Sequence, residues 1–156
     1  MDRAPGSRRW PTRSGKSRAT SAQDGFPHVT DFKYLLDSNI LVYLLDGVSP
    51  EARDRVEACA IGELATSAIA YAEVMWKVNP DDPRQQARAK ALFDLIQVLP
   101  FDAAAGETYR TLPFERHRFD HLIAAHALSR NLVMVTRNTR HFRAVPSLRV
   151  EDWTVA

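Results

Sequence analysis

The chain has 156 residues, 45% of them hydrophobic and 26% charged, which is room for one domain with a true core at an ordinary globular balance. Its single cysteine, Cys59, excludes an internal disulfide and any multi-cysteine metal centre; no apolar run approaches the roughly 18 residues that a membrane span needs, so a cytoplasmic location is the expectation. Residues 1–28 hold six Lys or Arg against two Asp, a net +4, whereas the other 128 residues hold 15 basic and 17 acidic side chains, a net −2, so the basic balance is no evidence that the folded part binds nucleic acid.

Residues 1 to 30 are rich in Arg, Ser, Thr, Gly and Pro and poor in large apolar side chains. Such a segment buries too little surface to offset its ordering entropy, which predicts a disordered basic tail. The Arg8–Arg9 pair lacks a following apolar stretch, so an export signal is rejected. Two readings of the tail stay open: an electrostatic arm for RNA, or a segment ahead of the true start near Val29. The domain is expected over residues 31–156.

From Lys33 the pattern alternates between short apolar runs and helical stretches. Lys33–Leu36 predicts a buried strand, and Asp37-Ser38-Asn39 opens a helix through Asp46. Gly47–Pro50 breaks the chain before a second helix over Glu51–Ala60. Leu64–Thr66 predicts a strand, with Ser67 capping a helix from Ala68 to Val78. Asn79–Pro83 is a turn, and a helix runs on to about Gln97. Val98–Phe101 predicts a further strand, and Asp102 caps a helix to about Leu112. After Pro113, Phe119–Arg130 predicts an apolar helix and Leu132–Thr136 a strand of nearly continuous apolar residues. Such runs suit parallel strands covered on both faces, and the alternation predicts an α/β fold around a central parallel sheet.

Three acids stand out against that frame. Asp37 lies where the first strand hands over to a helix, beyond the carboxyl end of the sheet where open α/β folds bind ligands; a plain N-cap explains it equally well. Glu73 sits among Ile69, Tyr71, Val74, Met75 and Trp76, where a carboxylate is costly unless paired or bound to a metal. Its structural alternative is a surface pair with Lys77, four residues on. Asp120 opens the helix of His121–His126, where the helix dipole alone favours an acid by under about 1 kcal/mol. Hard cations such as Mg²⁺ and Mn²⁺ take oxygen ligands from a few carboxylates, waters and substrate phosphate. Three acids at the ends of different elements meet that need, and the chemistry they point to is cation-assisted hydrolysis of a phosphodiester.

The blocks YLLDSNILVYLL, TSAIAYAEVMW, FDHLIAAHAL and LVMVTRNTRHFRAVPSLRVEDW, in that order, closely resemble the PIN-domain ribonucleases, in particular the VapC toxins of bacterial toxin–antitoxin pairs. The resemblance covers about residues 32 to 154. It implies a three-layer fold with four or five short parallel strands between helices, and an endoribonuclease that depends on Mg²⁺ or Mn²⁺ and leaves a 5′-phosphate and a 3′-hydroxyl. It also implies a homodimer, an antitoxin laid across the active-site groove, and tRNA or ribosomal RNA as substrate. Asp37, Glu73 and Asp120 match the family's metal-binding acids. Asn138, in Thr136-Arg137-Asn138, stands where an Asp is often found, and His141 where related sequences place an acid. The site is therefore poorer in carboxylates than the fullest family version, and one occupied metal site is compatible with it. Thr136 and Ser38 are placed to orient waters or ligands.

Arg116 and Arg118 are candidates for holding an RNA phosphate, or else for a solvated loop. His117, His121 and His126 lack a third ligand at metal spacing and are expected at the surface or behind the ligands. Tyr71, Trp76 and Phe93 are expected in the core or a dimer face, Trp153 as an anchor for the C-terminal end, and Cys59 as an inert packing residue. The competing reading is a PIN fold that binds RNA or a partner without cutting. An aspartyl-phosphate phosphatase is disfavoured, because Asn39 stands where that chemistry wants a second Asp.

Overall fold

The computed structural model describes residues 31–114 and 116–156. The expected disordered tail, residues 1 to 30, lies outside the described residues. Helix starts are set by short polar side chains. Asp37 caps α1 (Ser38–Asp46), Ser49 caps α2 (Pro50–Ala58), Ser67 caps α3 (Ala68–Lys77), Asp82 caps α4 (Pro83–Leu95) and Asp102 caps α5 (Ala103–Tyr109). Each side-chain oxygen accepts from a first-turn N–H, a bond worth about 1 kcal/mol. Gly47 closes α1 at φ +67°, a left-handed position that would strain any other common residue. In α6 (Phe119–Ser129) the capping position is Arg118, which provides no side-chain bond. Asp120 in its first turn accepts from the His121 N–H instead, at 3.0 Å.

Among the described residues five short strands alternate with these helices: β1 (Tyr34–Leu36), β2 (Leu64–Ser67), β3 (Gln97–Leu99), β4 (Val133–Val135) and β5 (Val150–Glu151). All pairings are parallel, in the order β3-β2-β1-β4-β5. β1 is central, with Leu35 beside Ala65 on one side and Met134 on the other. Those three side chains are fully buried, as the unbroken apolar runs predict for strands covered on both faces. The chain runs outward from β1 to β3, then crosses to β4 and β5, so the direction reverses between β1 and β4. That reversal is where an open α/β sheet leaves a crevice at its carboxyl edge.

The α/β class and the strand count agree with the sequence reading, and element ends differ by one to three residues. α5 stops at Tyr109 because Thr111 and Leu112 turn back onto the last helical carbonyls before Pro113. The sequence reading did not place β5 or the 3-10 turn over Thr139–Phe142. Trp153 anchors the C-terminal end as expected: it is buried, meets Tyr34 of β1 edge-on at 4.9 Å, and donates to Glu151 Oε2 at 2.7 Å. Trp76 is not a core residue, since 89% of its surface is exposed on α3. Tyr71 and Phe93 meet edge-on at 4.7 Å across α3 and α4. Among the described residues, no helix is long and apolar enough to cross a membrane.

Candidate active site

The crevice between β1 and β4 opens into a cleft of about 540 Å³ lined by Asp37, Ser38, Asn39, Glu73, His117, Arg118, Phe119, Asp120, Leu122 and Asn138. Four separate stretches of chain supply it: the end of β1, the second turn of α3, the start of α6 and the turn after β4. The three acids singled out in the sequence therefore share one cavity. Ser38 and Asn138 line it with them, and so does Arg118.

Asp37 is both N-cap and cleft acid, so its two readings coexist. It is 2% exposed. Oδ1 accepts from the Ser38 N–H at 2.7 Å, while Oδ2 accepts from the Thr136 hydroxyl at 2.9 Å and the Asn39 amide at 3.3 Å. Asn39 also reaches Thr136 Oγ1, at 3.2 Å, and accepts from the Arg137 N–H. Thr136 Oγ1 accepts in turn from the Asn138 N–H. The ends of β1 and β4 are thus tied together through the carboxylate, whose Oδ2 is fixed by the Thr136 hydroxyl. Burial pushes the Asp37 carboxyl above the usual carboxylate range; the bonds from Thr136 and Ser38 oppose this, and Asp120 adds to the rise.

Glu73 is half-buried on α3. Its carboxyl is also raised, chiefly by burial and further by Asp37 and Asp120, with the Ser38 hydroxyl pulling the other way. Lys77 gives only the weakest pull of the five influences, so the surface-pair alternative does not account for Glu73. Ser38 stands between the acids, its hydroxyl 3.5 Å from Asp37 Oδ1.

Asp120 has one guanidinium and two imidazole rings close by. Arg118 Nε lies 3.5 Å away, His141 Nδ1 3.8 Å and His121 Nε2 3.9 Å. His121 Nδ1 faces the Arg116 carbonyl at 2.9 Å, which can only accept, so that nitrogen carries the proton. Phe114 stacks flat on the His121 ring at 3.6 Å. Arg116 contributes this carbonyl to the site's frame, and its side chain does not line the cleft. Of the histidines expected at the surface or behind the ligands, His121 is buried beside Asp120 and His126 is fully buried, with Nδ1 2.9 Å from Ser67 Oγ. Asn39 and Phe119 also line the cleft, although neither stands out in the sequence as a site residue. The spacing Asp-x-Asn was the available signal for Asn39, because a residue two beyond an N-cap can turn back towards it. Nothing in the sequence distinguishes Phe119 from a core aromatic.

Both Asp37 and Glu73 are driven up chiefly by burial and further by Asp120, so a cation in the cleft would be balanced by carboxylates that have little counter-charge. All the donors they offer are hard oxygens, which suits a cation such as Mg²⁺. Among the described residues no three His, Cys, Asp or Glu side chains are arranged to hold a metal ion directly. The acids share a cleft rather than a point, which suits a cation held by one or two carboxylates and completed by water and phosphate oxygens.

A family model described as PIN domain matches residues 34–148. The chain is 32% identical over 131 residues to a tRNA(fMet)-specific endonuclease VapC of Shigella flexneri, an alignment spanning 78% of this chain and 98% of that protein. It is 28% identical to a Ribonuclease VapC2 of Rickettsia felis, over 77% of this chain and 97% of that one. Among solved structures, VapBC2 of Rickettsia felis bound to a fragment of its promoter DNA superposes with a TM-score of 0.70 at 26% identity, over 78% of this chain and 99% of that chain. DNA-bound VapBC of Salmonella typhimurium gives 0.70 at 27%, over 78% and 98%.

Proposed function

The chain belongs to the PIN-domain family, and we propose that it is a divalent-cation-dependent endoribonuclease acting as the toxin of a toxin–antitoxin pair. One observation carries the reading: Asp37, Glu73 and Asp120, up to 83 residues apart in sequence, line one cleft at the sheet's reversal point. The relatives' names add the substrate class. RNA is the substrate, with structured tRNA or ribosomal RNA favoured, and a small antitoxin protein is the partner, as in the VapBC complexes of similar fold. A homodimer is the proposed assembly.

In this reading Mg²⁺ or Mn²⁺ would be held among Asp37, Asp120 and Glu73, by one or two of the carboxylates directly and by the rest through water. A cation there supplies Lewis-acid stabilisation of charge on the scissile phosphate and lowers the pKa of water. The chain's own groups do the positioning. Thr136, Asn39 and the Ser38 N–H fix both oxygens of Asp37. Asn138 offers an uncharged oxygen or amide to water or phosphate. Arg118, already beside Asp120, is placed to take a phosphate oxygen when the acid takes a cation.

The test is cleavage of total cellular RNA by the full chain with Mg²⁺, with Mn²⁺ and with EDTA, beside Asp37→Asn. Wild type is expected to cut only with a cation, and the variant to lose at least about a hundredfold in rate, the scale of losing a group that organises charge at the reacting centre. The variant should also lose the rise in Tm that Mg²⁺ gives the wild type. Undiminished cutting by Asp37→Asn would sink the reading. No cutting by wild type with either cation would favour a binding module that retains the fold without the chemistry.

A further inference from the structure

Phe119 is the first residue of α6, immediately before Asp120. It lines the cleft, and 61% of its surface is exposed. Its neighbours are paired. Phe114 lies flat on His121, and the Tyr109 hydroxyl meets His117 Nδ1 at 2.6 Å. Among the described residues no ring stacks on Phe119, which leaves an aromatic face open to the cleft beside the acids. Leaving a Phe side chain in water forgoes most of the roughly 1.5–3 kcal/mol that its burial is worth, and the first turn of a helix does not require an aromatic residue.

We propose that Phe119 is a stacking platform for an unpaired RNA base adjoining the scissile phosphate, with Arg118 holding that nucleotide's phosphate. The proposal rests on the ribonuclease reading and deepens it. Charge makes a platform necessary. The cleft presents three carboxylates against one guanidinium, and the domain beyond residue 28 is net negative, so a polyanion gains little from the field of the folded part. An open ring face provides attraction that does not depend on charge and tolerates every base, since each has a π-face. Position favours a base over other apolar groups: the ring shares the cleft with Arg118 and Asp120, whose side chains lie 3.5 Å apart, so a phosphate, a base and the reacting centre fall within one nucleotide step. A base inside a duplex is covered by its neighbours, so the platform selects single-stranded or splayed-out nucleotides.

The experiment uses the full chain and a fluorescently labelled single-stranded RNA of about ten nucleotides, of the length a stacking groove contacts, beside the same sequence in a duplex. Binding is measured in an Asp37→Asn background to prevent turnover, and cleavage in the otherwise wild-type chain. Phe119→Ala is expected to weaken single-strand binding and raise KM by about five- to a hundredfold, the range for losing one stacked base, with kcat and Tm little changed. Phe119→Trp should restore binding, with its fluorescence quenched by the single strand. Phe119→Leu, apolar but not planar, should not restore it. Wild-type affinity in Phe119→Ala would overturn the proposal. Equal losses on single strand and duplex would too, as would a change of oligomeric state in sedimentation, which would mark Phe119 as a contact between copies. Intact cation-dependent cleavage with an indifferent Phe119 removes only the platform, whereas a wild type that cuts no RNA removes the ribonuclease reading and the platform with it.

Discussion

The three acids of the cleft differ in what surrounds them. Asp120 has Arg118 and the rings of His121 and His141 within 4 Å, whereas Asp37 and Glu73 are raised chiefly by burial, which Lys77 opposes only weakly at Glu73. Their raised carboxyls mean that each prefers the protonated form more than it would in an unfolded chain. The contribution of these groups to stability is therefore largest at low pH and is lost as pH rises through the ordinary carboxylate range towards the folded pKa. A bound dication reverses that trend by favouring the charged forms. Asn138 tests the balance directly, because it lines the cleft with the three acids and carries no charge. Asn138→Asp is expected to lower the Mg²⁺ concentration for half-maximal cleavage several-fold. It should also lower the cation-free Tm by a few degrees, the effect of adding about 1 kcal/mol of repulsion. Titration of cleavage and of Tm with Mg²⁺ checks both; a rise in cation-free Tm would contradict the account. Glu73 was legible from the sequence because an acid amid apolar neighbours needs a reason. For Asn39 the spacing signals the contact with Asp37 but not the second contact, with Thr136, 97 positions away.

α6 carries Asp120 at its start and His126 two turns further on, where it meets the start of α3. The His126 ring is fully buried, bonds Ser67 through Nδ1, meets Phe101 edge-on at 5.6 Å, and has no partner at Nε2. Ser67 Oγ accepts from the Ile69 N–H, so one hydroxyl caps α3 and receives α6. Burial, helped by Arg130, pushes the His126 pKa below its ordinary value, with Asp102 pulling weakly upwards. The unfolded chain therefore binds a proton here first as pH falls. Stability is fully present above the unfolded value near 6.5 and is lost as pH drops towards the lower folded value, at up to about 1.4 kcal/mol per pH unit. His126→Asn keeps a group at the Nδ1 position and removes the titration. Denaturant unfolding at pH 7.5 and 5.5 should show a smaller pH-dependent loss in the variant than in wild type; identical losses would place the acid sensitivity elsewhere. The helix itself was legible, since its apolar run and following strand are unmistakable. The place of His126 was not, because i, i+4 spacing from Leu122 to His126 says nothing about which face meets α3.

Across the whole molecule, the order β3-β2-β1-β4-β5 makes the first strand the centre and brings the last residues back to it. β1 cannot pair with β4 until nearly 100 residues have been traversed, so the cleft forms only when the long-range half of the sheet closes. The alternating runs made the parallel sheet legible, and Asp37 after its central strand followed from that. β5 escaped notice because a two-residue strand has no period to read, and its pairing is set by β4 rather than by its own sequence. What holds that edge is Trp153. Its ring meets Tyr34 of β1 edge-on, lies 5.2 Å beneath the Arg55 guanidinium of α2, and bonds Glu151 of β5. Arg55 completes the ring of contacts by pairing with Glu151 at 2.9 Å. A buried Trp→Ala change in such a setting costs about 3–5 kcal/mol, a large part of a small domain's total. Trp153→Ala should therefore shift the denaturant midpoint strongly and weaken cation-dependent cleavage at 37 °C through loss of folded protein. Trp153→Phe, which keeps the ring against Tyr34 but not the bond to Glu151, should lose less than half as much. Equal losses in the two variants would mean that the single hydrogen bond, rather than the buried ring, closes the sheet.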